Sequence, residues 1–152
     1  MTDSLARRRR HTPAFSGVNE IAQPAFRGFP AEHPRANRQL EITRNCSAVS
    51  GACMLTRREV FQEVGGFDES LMESLADIDL CLKMRRASYL IVYTSFAKRC
   101  WHEPHHDKID PPGEAIMRER WSGVLQRDAY YDPSLSREDA DFSLGNRDHR
   151  LD

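Results

Sequence analysis

Apolar residues come late in this chain and in short blocks. Residues 1 to 44 carry most of the early Pro and Gly and no sustained period of 2 or 3.6, so they read as largely irregular. From Ser47 to Thr56, the residues Ala48, Val49, Ala52, Cys53, Met54 and Leu55 form a nearly continuous apolar run, which predicts a strand buried on both faces. Gly51 interrupts that run, either as a packing glycine or as a wall that backbone or ligand approaches closely. Arg57 to Val64 predicts a short helix with Val60, Phe61 and Val64 on one side, closed by Gly65 in a left-handed turn. Ser74-Leu75-Ala76-Asp77 has the spacing of a capping box and opens a helix running to about Arg86. Tyr89 to Tyr93 predicts a strand and Ala97 to Trp101 a second one. A helix from Glu114 to Gln126 follows, with Ile116, Met117, Trp121, Val124 and Leu125 as its docking face. The chain thus divides into an irregular segment (1–44), an α/β unit (45–127) and a loop-like tail (128–152) with a turn at Tyr130-Tyr131-Asp132-Pro133.

Two carboxylates fall in the central helix, and helix geometry separates them. Asp77 and Asp79 are two positions apart, so at 100° per residue their side chains diverge by about 160° and cannot readily share one metal ion. Asp79 falls near Lys83 and Arg86 on the wheel, which predicts a structural salt bridge with Lys83. Asp77 falls near Cys81 and Met84. Taken alone it reads as a first-turn acid favoured by the helix dipole.

Composition excludes more than it indicates. A chain of 152 residues suits one domain that buries about 70% of its unfolded surface. With 39% hydrophobic residues, 30% charged residues and a net charge of −1, it has no global field to attract nucleic acid or anionic lipid. Arg7 to Arg10 read as a solvated tail. No apolar run approaches the ~18 residues of a membrane span, and no signal-peptide core follows the arginines, so the chain reads as cytoplasmic, at most peripheral to the inner membrane face. Cys46, Cys53, Cys81 and Cys100 form no C-x-x-C pair and read as reduced, small hydrophobes.

His102-Glu103-Pro104-His105-His106-Asp107 is the richest cluster of metal-ligating residue types. Its spacing matches no standard zinc site, and His105 and His106 read as surface histidines.

Phe61 to Glu69, with its Gly65-Gly66-Phe67-Asp68-Glu69, and Ala76-Asp77-Ile78-Asp79-Leu80 together resemble the C-terminal half of the catalytic domain of family 2 glycosyltransferases. The resemblance runs from roughly Phe15 to Leu144. It includes Arg44-Asn45-Cys46-Ser47-Ala48-Val49-Ser50-Gly51-Ala52-Cys53-Met54, then His102-Glu103, and an ending at Asp128, Tyr130, Tyr131, Pro133, Leu135 and Ser136. It implies a GT-A-like fold, a mixed sheet with flanking helices, that passes a sugar from a nucleotide-sugar donor to a glycan or lipid-linked acceptor with inversion. Asp77 would be the base that takes the acceptor proton, outranking its reading as a helix-dipole acid. Gly51, Gly65, Gly66, Phe67 and Asp68 would shape the acceptor site, and His102 would lie near a divalent metal, Mg²⁺ or Mn²⁺, and the diphosphate. Ala76 stands where many relatives have Glu, and Pro104 where Ser is common. No nucleotide-binding strand and no extended D-x-D is found before Arg44, so the donor-binding half is expected to be absent. The isolated chain would then show no appreciable transfer, and would be marginally folded or associate with itself or with a partner chain. Two other readings stay open: a non-catalytic truncated product or partner subunit, and a His-rich metal-binding module.

Overall fold

The computed structural model describes residues 15–16, 23–24, 41–71, 73–97, 111–136 and 142–144. Strands β1 (Phe15–Ser16) and β2 (Gln23–Pro24) form a two-residue antiparallel ladder. They are followed by β3 (Arg44–Cys46), helix α1 (Arg58–Glu63), helix α2 (Glu73–Arg86), strand β4 (Ile91–Tyr93) and helix α3 (Pro111–Gln126). β3 and β4 pair antiparallel, with Arg44 opposite Tyr93 and Cys46 opposite Ile91. The described part is therefore α/β, and both of its sheets are two-stranded and antiparallel.

Helix α2 is the axis of the core. Every residue from Leu75 to Leu82 is buried, so the helix is enclosed on all sides instead of presenting one apolar stripe. Ile78, Leu80 and Cys81 pack with Met117 and Trp121 of α3, Ile91 and Tyr93 of β4, Val60 of α1, and Cys46, Ala48 and Val49. α3 begins at Pro111-Pro112, where a missing N–H is tolerated, and bends at the buried Trp121 (φ −123°, ψ 18°).

α1 ends in the turn its glycines anticipate. Gly66 N–H donates to the Phe61 carbonyl (2.8 Å) and Gly65 N–H to that of Gln62 (3.1 Å), the paired bonds of a Schellman motif. Gly65 has φ +82° and Gly66 φ +65°, values that favour residues without a Cβ.

Two predicted features do not form. The run from Ser47 to Thr56 is not a strand: β3 stops at Cys46, and Gly51–Cys53 is a 3-10 turn in which Ala52 N–H donates to Ser50 Oγ (3.2 Å). Nor is the run buried on both faces, since Leu55 is 98% exposed. Its buried polar groups pair with side chains of α2, as described below, and not with a neighbouring strand. Ser74 is likewise no cap, because Glu73 and Ser74 already belong to α2. Asp77 consequently lies in the second turn, beyond the free amides of the helix end. The predicted strand from Ala97 to Trp101 lies, except for Ala97, outside the described residues.

The two glycines are expected to respond differently to alanine. A Cβ at Gly65 meets nothing within 4 Å, whereas one at Gly66 lies 3.0–3.1 Å from the Phe61 ring. Gly65→Ala should cost about 1 kcal/mol, from the left-handed backbone alone. Gly66→Ala should cost about 1–3 kcal/mol more, from crowding. Urea melts of both variants measure the difference, and equal losses would contradict the packing described here.

Candidate functional site

Three side chains of α2, each one helical turn from the next, grip alternate residues of the segment after β3. Asp77 Oδ2 accepts from Gly51 N–H (2.7 Å). Cys81 Sγ accepts from Val49 N–H (3.5 Å) and its thiol faces the Val49 carbonyl (3.7 Å). Arg85 donates from a terminal nitrogen to Ser47 Oγ (2.7 Å). The order 77, 81, 85 against 51, 49, 47 makes the two elements antiparallel. Four helical residues rise about 6 Å and two near-extended residues span about 6.6 Å, so the repeats match over this length. Burial in this seam pushes the Cys81 thiol up to about 12, and burial likewise raises Cys46 to about 11, so both stay protonated at neutral pH.

Asp77 is 8% exposed and the Gly51 beside it is exposed. A Cβ on Gly51 would lie 3.3 Å from Asp77 Cβ. Glycine therefore lets the backbone come close enough to fix the carboxylate.

Asp79, on the other side of α2, is fully buried and held by three side chains. Its Oδ1 accepts from Arg120 (2.8 Å) and from Trp121 Nε1 (2.9 Å), and its Oδ2 pairs with Lys83 Nζ (2.9 Å). Burial opposes its charge, but hydrogen bonds from Lys83, Trp121 and Arg120 outweigh burial and hold its carboxyl below the usual range. Arg120 also reaches Asp68 Oδ2 (2.9 Å), and Lys83 also donates to the Gly66 carbonyl (3.1 Å). Asp68 Oδ1 accepts from Ser70 Oγ (2.6 Å) and N–H (3.0 Å); these bonds, with Arg120, drive the Asp68 carboxyl well below its usual range. The Lys83 ion pair expected from the helical wheel is present. Arg120 and Trp121 were not expected, because nothing local in the sequence brings α3 to Asp79.

The structure thus joins Gly51 to Asp77, but it ties the Gly65 to Asp68 loop to the Asp79 side. Gly66 and Asp68 contact Lys83 and Arg120, and Phe67, 50% exposed, stands edge-on to Phe61 at 5.4 Å. None of these contacts reaches Asp77. Cys81 and Arg85 are further partners of the segment that the sequence reading does not name, although their four-residue spacing from Asp77 is a signal for them.

His102, Glu103, His105, His106 and Asp107 lie outside the described residues. Among the described residues no group of three or more His, Cys, Asp or Glu side chains could hold a metal ion. Asp77 and Asp79 diverge, so the described residues do not fit a divalent cation. Among the described residues no helix is long and apolar enough to cross a membrane.

The chain has relatives that extend well beyond it. It is 34% identical over 147 residues to "Uncharacterized protein y4gI" of Sinorhizobium fredii, covering 90% of this chain and 16% of that protein. It is 40% identical over 115 residues to the N-acetylglucosaminyl-diphospho-decaprenol L-rhamnosyltransferase of Mycobacterium tuberculosis, covering 75% of this chain and 38% of that one. The O-antigen biosynthesis protein RfbC of Myxococcus xanthus is 33% identical over 110 residues, 68% of this chain and 8% of that one. The chain therefore spans well under half of each relative. No protein-family model matches it, and no solved structure does.

Acid should act on the Asp79 network. Asp79 and Asp68 ionise at lower pH in the folded chain than in the unfolded one. Their stabilisation is therefore complete above about pH 4, the unfolded range, and is lost as pH falls through the folded values. Asp79→Asn should lower stability by about 3 kcal/mol at pH 7, by leaving Arg120 and Lys83 without their buried counter-charge. The gap from the parent should narrow by about 1 kcal/mol at pH 3. Urea midpoints at the two pH values measure this, and a gap that does not change with pH would contradict it.

Proposed function

We propose that this chain carries the acceptor side of a family 2-like glycosyltransferase with a GT-A-like fold, and that Asp77 is the base of its reaction. The intact enzyme would move a sugar from a nucleotide-sugar donor to a hydroxyl of a glycan or lipid-linked acceptor. As the acceptor oxygen bonds to the anomeric carbon, the bond to the leaving diphosphate breaks on the opposite face, which inverts the centre. The acceptor proton passes to the Asp77 carboxylate. The observation that carries this reading is the 40% identity to the mycobacterial rhamnosyltransferase over 115 residues.

The geometry supports Asp77 over Asp79. A base must be oriented, and it must be reachable by the hydroxyl. Gly51 N–H holds Oδ2 of Asp77 at 2.7 Å; Asp77 is 8% exposed and its Oδ1 is buried, so the acceptor hydroxyl would have to approach past the exposed Gly51. Asp79 is 0% exposed and is matched by two cations and an indole, so it has neither access nor basicity to spare. Gly65, Gly66, Phe67 and Asp68, tied to the Asp79 side of α2, would meet the acceptor away from Asp77, with the exposed Phe67 ring as the surface a sugar can stack on. A divalent ion, Mg²⁺ or Mn²⁺, would serve the donor diphosphate, with His102 nearby. The described residues supply no site for it, and no step here depends on one.

The test is to compare Asp77→Asn with Asp79→Asn in a protein that joins this chain to a donor-binding half. Asp77→Asn should lower kcat about 100- to 10,000-fold with its melting transition retained. Asp79→Asn should act mainly through stability and keep most of the turnover of the folded fraction. Equal losses of turnover in two well-folded variants would overturn the assignment.

A further inference from the structure

The tail motif at Asp128, Tyr130 and Tyr131 has no part in the proposed chemistry, yet the structure ties it to the segment that holds Asp77. Ser47 donates its hydroxyl to Asp128 Oδ1 while accepting from Arg85 (2.7 Å). Asp128 Oδ1 also accepts from Tyr130 N–H (2.9 Å), and the Arg85 guanidinium lies over the Tyr130 ring at 4.9 Å. Ser47 is buried, so its hydroxyl depends on protein partners, and it has one on each side. Farther along, Tyr131 donates its hydroxyl to the Ser136 carbonyl, and Phe142 packs against Tyr131 (5.4 Å) and under Arg44 of β3 (4.9 Å). The tail is therefore docked at several points and does not rest on the single contact at Asp128.

We propose that Asp128 is a positioning residue for Asp77, acting through Ser47 and the segment to Gly51; the proposal rests on the reading of Asp77 as the base. The segment is held along α2 at 47, 49 and 51. The side chains along it, Ala48 and Val49, are buried and apolar and do not fix sliding along the helix axis. Register therefore depends on the polar contacts, and the end at Ser47 is the one the tail controls. A shift there is passed along a near-extended chain to Gly51 N–H and so to the angle of the Asp77 carboxylate. The carboxylate of Asp128 accepts from the Ser47 hydroxyl and from Tyr130 N–H, and so holds the two groups that Arg85 meets, the Ser47 oxygen and the Tyr130 ring. Arg85 is itself on α2, so Asp128, Ser47 and Arg85 lock the segment to the helix that carries Asp77.

The experiment has an arm that needs no activity. In the 152-residue chain, Asp128→Ala and Ser47→Ala should each speed hydrogen exchange at the Gly51 and Val49 amides by roughly fivefold or more. Exchange at the α2 amides around Leu80 should be unchanged, and the double variant should be no worse than either single one. Asp128→Asn, which keeps an acceptor oxygen, should restore most of the protection. In the protein joined to a donor half, Asp128→Ala should lower kcat about 10- to 100-fold with the acceptor KM little changed. A purely structural role would instead speed exchange at all amides together, and that result would overturn the proposal, as would additive effects of the two alanine variants. If the exchange pattern holds but Asp77→Asn leaves transfer intact, the positioning of Asp77 stands and the reading of Asp77 as a base fails.

Discussion

The match between the turn spacing of α2 and the two-residue spacing of Ser47 to Gly51 is the constraint on which the described structure most depends. A buried segment outside any sheet has backbone donors and acceptors to satisfy, and leaving one unpaired costs about 1–3 kcal/mol. Here side chains of α2 take the place of a second strand. Asp77, Cys81 and Arg85 meet Gly51, Val49 and Ser47 in turn. Each contact requires a particular residue type: a glycine so that the backbone can approach Asp77, a thiol small enough to sit between an N–H and a carbonyl, and a hydroxyl able to accept and donate at once.

The opposite side of the same helix answers a different requirement. Asp79 brings a charge into the core, and a buried ion pair is seldom a gain over well-packed apolar residues. Its return is specificity: one carboxylate fixes α3 through Arg120 and Trp121, and the glycine turn through Lys83 and Arg120. A helix buried on every side has no apolar stripe to set its rotation in the core. Two carboxylates about 160° apart, each with its own partners, set that rotation.

Local features were legible in the sequence, whereas features made by partners distant along the chain were not. The α1 helix and its glycine stop, the extent of α2 to Arg86, the strand ending at Tyr93 and the Asp79–Lys83 pair all follow from residues within about one helical turn of one another. Ser47 to Thr56 is not a strand because apolar content does not determine what pairs a backbone, and here side chains of α2 do so. The cap at Ser74 failed because spacing alone cannot say where a helix in the core begins. The contacts that Arg120 and Trp121 make with Asp79, and Asp128 with Ser47, are not legible for a related reason, since each acts across 40 or more residues of sequence. The divergence of Asp77 and Asp79 follows from helix geometry alone and survived, and it is what separates a candidate base from a structural charge.

The proposed chemistry needs Asp77 oriented by backbone, and the most direct test of that claim is the Gly51 amide proton followed by NMR from acid to neutral pH. Its shift should track the ionisation of Asp77, moving downfield as the carboxylate forms, and the dependence should vanish in Asp77→Asn while the neighbouring Val49 amide stays in place. A Gly51 amide that does not respond to pH, or one that responds equally in the variant, would mean that the contact between this glycine and α2 does not hold the carboxylate.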